Sequence, residues 1–409
     1  MSVEVRESVA SVRRVRHRLG YPGRRWPQAA TLVWIRLAYF VGLAGAGLWA
    51  PVHHGIHGQG AYTPLGDLLF GTLNRWDAGW FVRIALHGYE VKQTAAFFPV
   101  YPILLRGLAF VVRSHLVAGV LISIVAAGAT AELLFRIART RLGERGARDA
   151  VLLFALYPIS FVFTAVYSDA LFLLFATASF YAAQRGRGLA AGVAGGLAVG
   201  TRLLGLALLP ALVILLWRRG VRGLASLVLL PGALGLYVLY LHEHFGDALA
   251  FQHAEQGFWQ RHTSTIGPVT GSWDVLKSAE QGLANIVRHL PPLLGAPNGY
   301  EKVFEWSIWN LVHFLLLVVG IWLTWLAWRR LGPAFGVYSA ATLLVIVSAP
   351  TAVVPLGSIP RFLLADFPLF LVLGDLVSVR PRLREILFVV FGSLGAAAAV
   401  AFAHGAWVA

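Results

Sequence analysis

Long apolar stretches recur along almost the whole chain, and short segments rich in arginine separate them. A helix needs about 20 predominantly apolar residues to cross the hydrocarbon core of a bilayer. Charged residues make up 13% of the chain, whereas about a quarter of an ordinary soluble domain is charged. Because so few charges cannot cover a water-exposed surface, the pattern predicts an all-α polytopic membrane protein.

The apolar stretches also predict a path through the membrane. Full crossings are expected near residues 28–50, 115–136, 148–166, 168–184, 222–241, 305–328, 333–352, 361–379 and 385–404. Residues 189–217 are apolar too, but basic residues flank them on both sides, and each half is too short to cross at about 1.5 Å per residue. We therefore predict a helical hairpin with Thr201 and Arg202 at its tip. Residues 97–113 predict an interfacial or re-entrant helix.

The arginine-rich segments predict the topology, because cytoplasmic flanks of membrane helices retain Lys and Arg. On this rule 136–148, 185–187, 218–222, 329–330 and 380–384 are cytoplasmic. About eleven helices result in a plasma-membrane protein with a cytoplasmic N-terminus. We predict a basic cytoplasmic tail at 1–27 and one transmembrane domain at 28–409. Its extracytoplasmic loops 51–114 and 242–304 are expected to form the active-site face.

Several classes of function are disfavoured. The chain has no cysteine, which excludes disulfides and thiolate metal sites. The net charge of +15 is spread over short helix flanks, so we expect no nucleic-acid partner. No Walker-type phosphate loop or dinucleotide fingerprint is present. Two histidine groups, His53–His57 and His242–Asp247, lack a recognisable ligand framework. We therefore expect no metal and no cofactor.

The segment 74–89 carries an aspartate where packing does not require one. Read as a helix, it places Trp76, Trp80 and His87 along one face, and tryptophans are typical of the membrane interface. Asp77 then lies at the membrane surface between two indoles. A partly desolvated carboxylate can accept a proton from a substrate hydroxyl, which makes Asp77 a candidate general base. An interfacial helix with a solvated aspartate is the alternative.

Three further charged residues lie within apolar surroundings. Asp169 comes at the outer end of two predicted helices, where an acidic residue usually has a partner or a task; a helix cap formed by Ser168 or Asp169 is the alternative. Arg202 and Arg361 are candidates for binding a phosphate, which a guanidinium can hold through two hydrogen bonds. For Arg361, a side chain that snorkels to the interface is the alternative.

These residues also resemble a known family. The segment 76–89, with Trp76-Asp77-Ala78, and the segment 97–102, with Phe97-Phe98-Pro99, look like the PIG-V family. Its eukaryotic members are the GPI mannosyltransferase 2 enzymes of the GT-C superfamily. Later matches, which extend the resemblance from about residue 74 to 363, are Tyr167-Ser168-Asp169, Gly200-Thr201-Arg202 and Arg361-Phe362-Leu363. The family usually has glutamate where this chain has Asp169.

The resemblance implies a GT-C fold and an inverting glycosyltransferase that uses polyprenyl-phosphate-mannose. Asp77 matches the family's catalytic base, and Asp169 is a second acidic residue whose role the shorter side chain leaves open. We infer that Arg202 and Arg361 stabilise the departing phosphate, as a metal does elsewhere. The expected substrate contacts are Trp76, Trp80, Arg83, His87, Arg106 and Tyr167.

The acceptor does not follow from the resemblance. The composition, rich in Ala, Gly and Arg, suggests a bacterium, in which GPI anchors are not expected. A lipid-linked or glycolipid acceptor is therefore expected among the membrane lipids. Three alternatives stay open: another polyprenyl-phosphate sugar, a transporter of lipids or anions, and a non-catalytic membrane subunit.

Overall fold

The computed structural model describes residues 27–47, 70–261, 267–293, 300–352 and 354–408. Within these ranges the chain is helical. The α-helices are α1 Pro27–Gly47, α2 Asp77–His87, α3 Val100–Val112, α4 His115–Leu156, α5 Asp169–Gln184, α6 Gly188–Thr201, α7 Leu208–Leu216, α8 Gly220–Ala225, α9 Leu229–Phe245, α10 Ala250–Gly257, α11 Pro268–Leu293, α12 Tyr300–Leu326, α13 Pro333–Ser348, α14 Ile359–Ala365, α15 Phe367–Ser378 and α16 Pro381–Ala403. Residues 1–26 of the predicted tail and His53, His54 and His57 lie outside the described residues.

Five helical runs in the described part of the chain are long and apolar enough to cross a membrane. They are Pro27–Ala46, His115–Leu156, Leu203–Phe245, Val303–Leu331 and Pro381–Ala403. Shorter apolar helices include α3, α6, α13 and α15. The all-α polytopic fold is confirmed, whereas the count of about eleven crossings stays a prediction.

Helix α4 contains the stretches predicted as two crossings at 115–136 and 148–166. It consists of two helices that meet at a kink at Gly143, which has a φ of 71° and a ψ of −176°. The second stretch ends at Leu156 rather than near 166. Tyr157 precedes a proline and adopts a ψ of 137°, because the proline ring disfavours the helical region for the residue before it.

A buried arginine stabilises this helix end. Arg36, from α1, is 0% exposed and donates hydrogen bonds to the carbonyl oxygens of Ala155 and Ser160. Its guanidinium carbon also lies 4.7 Å from the ring centroid of Tyr39. Carbonyls at a helix end have no intrahelical partner, and an apolar surrounding offers no water to replace one. Arg36 therefore allows the chain to leave α4 and turn towards α5.

The predicted hairpin is present. Helices α6 and α7 are short, and Arg202 between them has extended backbone angles, with a φ of −156° and a ψ of 138°. Helix α6 packs closely against the start of α9 and the turn before it. A Cβ atom on Gly192 would lie 2.1 Å from the carbonyl oxygen of Ser226, so only glycine allows this approach. The close packing holds α6 against α9, and Arg202 directly follows the C-terminal end of α6.

Residues 97–113 form α3, which begins after Pro99 and ends at Arg113 in the left-handed region. One side of α3 is buried, whereas Ile103 and Phe110 are 66% and 74% exposed. Whether the helix is interfacial or re-entrant stays a prediction. Its N-terminal end lies beside the site described next.

Candidate active site

The backbone before Asp77 is held in an unusual conformation. Trp76 has a φ of 55° and a ψ of −117°, a region that costs a bulky residue about 1–3 kcal/mol. Its neighbour Arg75 is anchored twice: its guanidinium donates to the carbonyl of Ala403 at 2.7 Å, and its own carbonyl accepts from the Tyr167 hydroxyl at 3.2 Å. These contacts fix the start of α2, and therefore the position of Asp77.

Asp169 is fixed from the other side of the site. The hydroxyl of Ser123, in α4, donates to the carbonyl of Ala165 at 2.7 Å and so holds the turn that leads into α5. Ser168 makes no side-chain hydrogen bond as a helix cap. Asp169 lies in the first turn of α5, where the helix dipole favours a carboxylate, but its side chain is used for ion pairs.

One arginine joins the two carboxylates. Arg361 places Nη1 2.6 Å from Oδ2 of Asp77 and Nη2 2.8 Å from Oδ2 of Asp169. Arg202 forms a second ion pair with Oδ1 of Asp169. We call Asp77, Asp169, Arg202 and Arg361 the carboxylate–arginine cluster. The structure thus brings together four of the charged residues that the sequence predicted for the site, from four separate segments of the chain.

The two carboxylates of the cluster differ in exposure. The side chain of Asp169 is 2% exposed and is held by both arginines. The side chain of Asp77 is 24% exposed and pairs with Arg361. Arg361 itself is 8% exposed, so it does not snorkel to an interface. Asp169 is therefore suited to a structural charge, whereas Asp77 is within reach of a ligand.

A cavity of about 780 Å³ opens beside the cluster. Its charged lining residues are Asp77, Arg202, Glu255, Arg261 and Arg361. Its aromatic lining residues include Trp76, Phe97, Phe98, Tyr167, Trp259, Trp306 and Trp407. A mostly apolar cavity with a few convergent polar groups is typical of a site for a small molecule or cofactor.

Two of the charged lining residues were missed by the sequence analysis. Glu255 and Arg261 form an ion pair with 3.1 Å between Oε2 and Nε. Burial raises the pKa of Glu255; Arg261 opposes that increase and the charge of Asp77 adds to it. Both residues lie in the predicted active-site loop 242–304, but nothing in the local sequence shows that they face the cluster.

Other predicted contacts lie elsewhere. Trp80 is buried behind the cavity wall, with its ring centroid 5.9 Å from those of both Phe97 and Trp259. Arg83 pairs with Glu90 at 3.3 Å. His87 and Arg106 are exposed. Among the described residues, Trp80, Arg83, His87 and Arg106 do not line the cavity, and their role as substrate contacts stays a prediction. Trp76 and Tyr167 do line it.

The second histidine group has local partners. Nε2 of His244 lies 2.6 Å from the carbonyl oxygen of Tyr89, and Nδ1 of His253 lies 2.9 Å from Oδ2 of Asp247. Within the described ranges, no three His, Asp or Glu side chains are grouped as ligands for a metal ion. That the reaction needs no metal stays an expectation.

The fold is similar to that of a solved structure. ArnT from Cupriavidus metallidurans, whose crystal structure was determined with undecaprenyl phosphate bound, superposes with a TM-score of 0.51. The superposition covers 89% of this chain and 62% of that one, at 16% sequence identity. The chain therefore has the GT-C fold.

Residues 63–227 match the family model described as Mannosyltransferase (PIG-V). GPI alpha-1,6-mannosyltransferase 2 of Rattus norvegicus is 35% identical over 161 residues, 36% of this chain and 32% of that protein. GPI mannosyltransferase 2 of Drosophila melanogaster is 28% identical over 113 residues, 25% of each chain. The match to the rat protein thus covers about a third of its length. The PIG-V resemblance is confirmed for residues 63–227.

Proposed function

We propose that the chain transfers mannose from polyprenyl-phosphate-mannose to a hydroxyl group of a lipid-linked or glycolipid acceptor, with inversion at the sugar C1. Its relatives are named as mannosyltransferases, and ArnT was solved with a polyprenyl phosphate bound. The observation that carries the proposal is Asp77, an accessible carboxylate in the wall of the cavity that Arg202 and Arg361 also line.

In the proposed reaction Asp77 accepts the proton of the acceptor hydroxyl while that oxygen attacks C1 of the sugar. The bond between C1 and the phosphate oxygen breaks, and its electron pair stays on the oxygen, which leaves as polyprenyl phosphate. Arg202 and Arg361 stabilise the negative charge that develops there. Because Arg361 contacts Asp77 at 2.6 Å, a shift of its guanidinium towards the phosphate would free the Asp77 carboxylate to accept the proton.

We further propose that the cavity faces the extracytoplasmic side of the plasma membrane. Helix α5 begins at Asp169 in the cluster and ends at Gln184, just before Arg185 and Arg187. Its 16 residues correspond to about 24 Å along the helix axis. The positive-inside rule assigns the end with Arg185 and Arg187 to the cytoplasm, which puts the cluster on the other side.

The test is mannosyl transfer by the purified protein, reconstituted with labelled polyprenyl-phosphate-mannose and bacterial membrane lipids. We expect Asp77→Asn to lower the rate by about 10²- to 10⁴-fold, the usual contribution of a general base. The matched control is Asp274→Asn, an exposed aspartate of α11 outside the cavity wall, which should keep the wild-type rate.

Each result bears on a different part of the proposal. Equal rates for wild type and Asp77→Asn would remove the base and favour a non-catalytic role for the motif. Transfer of arabinose or glucose, but not of mannose, from the polyprenyl-phosphate donor would keep the reaction class and change the sugar. Label that crosses the bilayer without being transferred would indicate a transporter.

A further inference from the structure

Arg261 lines the cavity but lies outside the carboxylate–arginine cluster. Its amide donates to the carbonyl of Glu255 at 3.0 Å, its backbone pairs with that of Thr351 in an antiparallel bridge, and its Nη2 donates to Oγ of Ser358 at 3.2 Å. The side chain is 20% exposed. Arg261 is thus held at the seam between the segment that follows α10 and the segment that precedes α14.

The partner of Arg261 can be exchanged, whereas Asp169, the carboxylate that Arg202 and Arg361 share, cannot. Arg202 and Arg361 both bind Asp169, which is 2% exposed, and removing one member of such a buried pair leaves an uncompensated charge. The carboxylate of Glu255 is 39% exposed and lies in the cavity wall. An anion that enters the cavity can therefore replace Glu255 on Arg261, because the displaced carboxylate remains accessible to solvent.

Arg202 and Arg261 both lie near the ring of Phe362. The guanidinium carbons of Arg202 and Arg261 are 5.9 Å and 5.8 Å from the ring centroid of Phe362, the residue that follows Arg361. All three arginines line the cavity. An anion with several oxygens can accept hydrogen bonds from more than one guanidinium, and such charge-assisted bonds are the strong ones.

We propose that Arg261 binds the phosphate group of the lipid-linked sugar donor, and that the phosphate takes the place of the Glu255 carboxylate on its guanidinium. This inference rests on the proposed polyprenyl-phosphate donor. Glu255 is then a positioning residue, which holds Arg261 before the donor enters and releases it afterwards. Partial burial of Glu255, whose side chain is 39% exposed, and the charge of Asp77 raise the pKa of its carboxyl group, which favours that release.

The experiment measures binding of undecaprenyl phosphate to the full-length purified protein, without any sugar transfer. We expect Arg261→Ala to weaken binding by roughly 10- to 100-fold, the usual effect of losing hydrogen bonds to a charged group. Arg261→Lys should fall between wild type and Arg261→Ala, because lysine keeps the charge but loses the planar fork. The control Arg288→Ala removes an exposed arginine of α11 and should leave binding unchanged.

Glu255→Gln tests the exchange itself. Because the glutamine does not compete as an anion, we expect tighter binding, by about two- to tenfold. Weaker binding in Glu255→Gln would overturn the exchange, and unchanged binding in Arg261→Ala would overturn the role of Arg261. Thermal unfolding of every variant shows whether it is folded, and Arg261→Lys serves as the test if Arg261→Ala does not fold.

Two further measurements test the lipid and the sugar separately. Equal, Arg261-dependent binding of phosphatidic acid would make Arg261 a general contact for anionic lipids and overturn the donor assignment. Arg261-dependent binding of undecaprenyl phosphate by a protein that transfers no mannose would support this inference and refute the proposed sugar. Normal mannose transfer with no effect of Arg261→Ala on binding would support the proposed sugar and refute the role of Arg261.

Discussion

The two halves of the site carry similar charges but hold them differently. In the anchored half, Asp169 lies behind the cavity wall, is 2% exposed and is bound by Arg202 at the hairpin tip and by Arg361 in α14. In the exchangeable half, Glu255 is 39% exposed and pairs with Arg261, which lies six residues further along the chain. A buried pair resists exchange, because the loss of one member leaves the other as an uncompensated charge. An exposed pair can release one partner to a ligand. The comparison therefore indicates that Asp169 holds the structure together, whereas Arg261 is available to bind a ligand.

The largest difference is expected for stability. Asp169→Ala leaves Arg202 and Arg361 without their shared buried carboxylate, which should lower the free energy of unfolding by about 3–5 kcal/mol. Glu255→Ala breaks a partly exposed pair and should cost less than about 1 kcal/mol. Thermal unfolding in detergent measures both. Equal losses of unfolding free energy in Asp169→Ala and Glu255→Ala would show that the buried pair is not held more firmly than the exposed one.

A smaller difference is expected for backbone packing. A Cβ on Gly192 would meet the carbonyl oxygen of Ser226 at 2.1 Å, whereas one on Gly257, in α10, meets nothing within 4 Å. Gly192→Ala should therefore displace the hairpin that carries Arg202 and cost about 1–3 kcal/mol. Gly257→Ala is the matched change in the exchangeable half and should leave both stability and transfer near wild type. A loss of transfer in Gly257→Ala, but not in Gly192→Ala, would show that the tight backbone packing needed for transfer lies in the exchangeable half and not in the anchored half.

The smallest effect concerns pH. The raised pKa of Glu255, caused first by burial, means that the folded protein holds this proton above the ordinary value of 4.5. The neutral carboxyl group of Glu255 therefore stabilises the folded protein below pH 4.5, and this contribution to the free energy of unfolding is lost as the pH rises through the raised pKa. Because the side chain is 39% exposed, we expect less than about 1 kcal/mol.

The same titration should affect binding. Arg261 and Arg202 favour the ionised carboxylate and Asp77 disfavours it, and the ionised form competes with phosphate for Arg261. Binding of undecaprenyl phosphate should therefore weaken as Glu255 ionises, by more in wild type than in Glu255→Gln. Titrations of both proteins over the same pH range measure the difference. If binding changes with pH in the same way in both proteins, Glu255 is not the cause of the pH dependence.

Periodicity and length were sufficient for the local features. They predicted the short hairpin with Arg202 at its tip and a helix that contains Asp77. They failed for residues 148–166, where hydropathy continues past Leu156 but the residue before Pro158 leaves the helical region. They also missed Glu255 and Arg261, because a charged pair in a polar segment usually indicates a solvated loop.

By itself, the sequence determined the all-α membrane architecture, since the length of the apolar stretches and the low charge content can be read along the chain without knowledge of its packing. It also marked Asp77, Asp169, Arg202 and Arg361 as charges in costly places. Only the tertiary structure decided how they pair: Asp77 and Arg361 are 284 residues apart, and Asp169 and Arg361 are 192 apart. Such contacts depend on how the helices pack, and no local pattern encodes that. The packing left Asp169 enclosed and Asp77 open to the cavity, and so distinguished the structural carboxylate from the one that a substrate can reach.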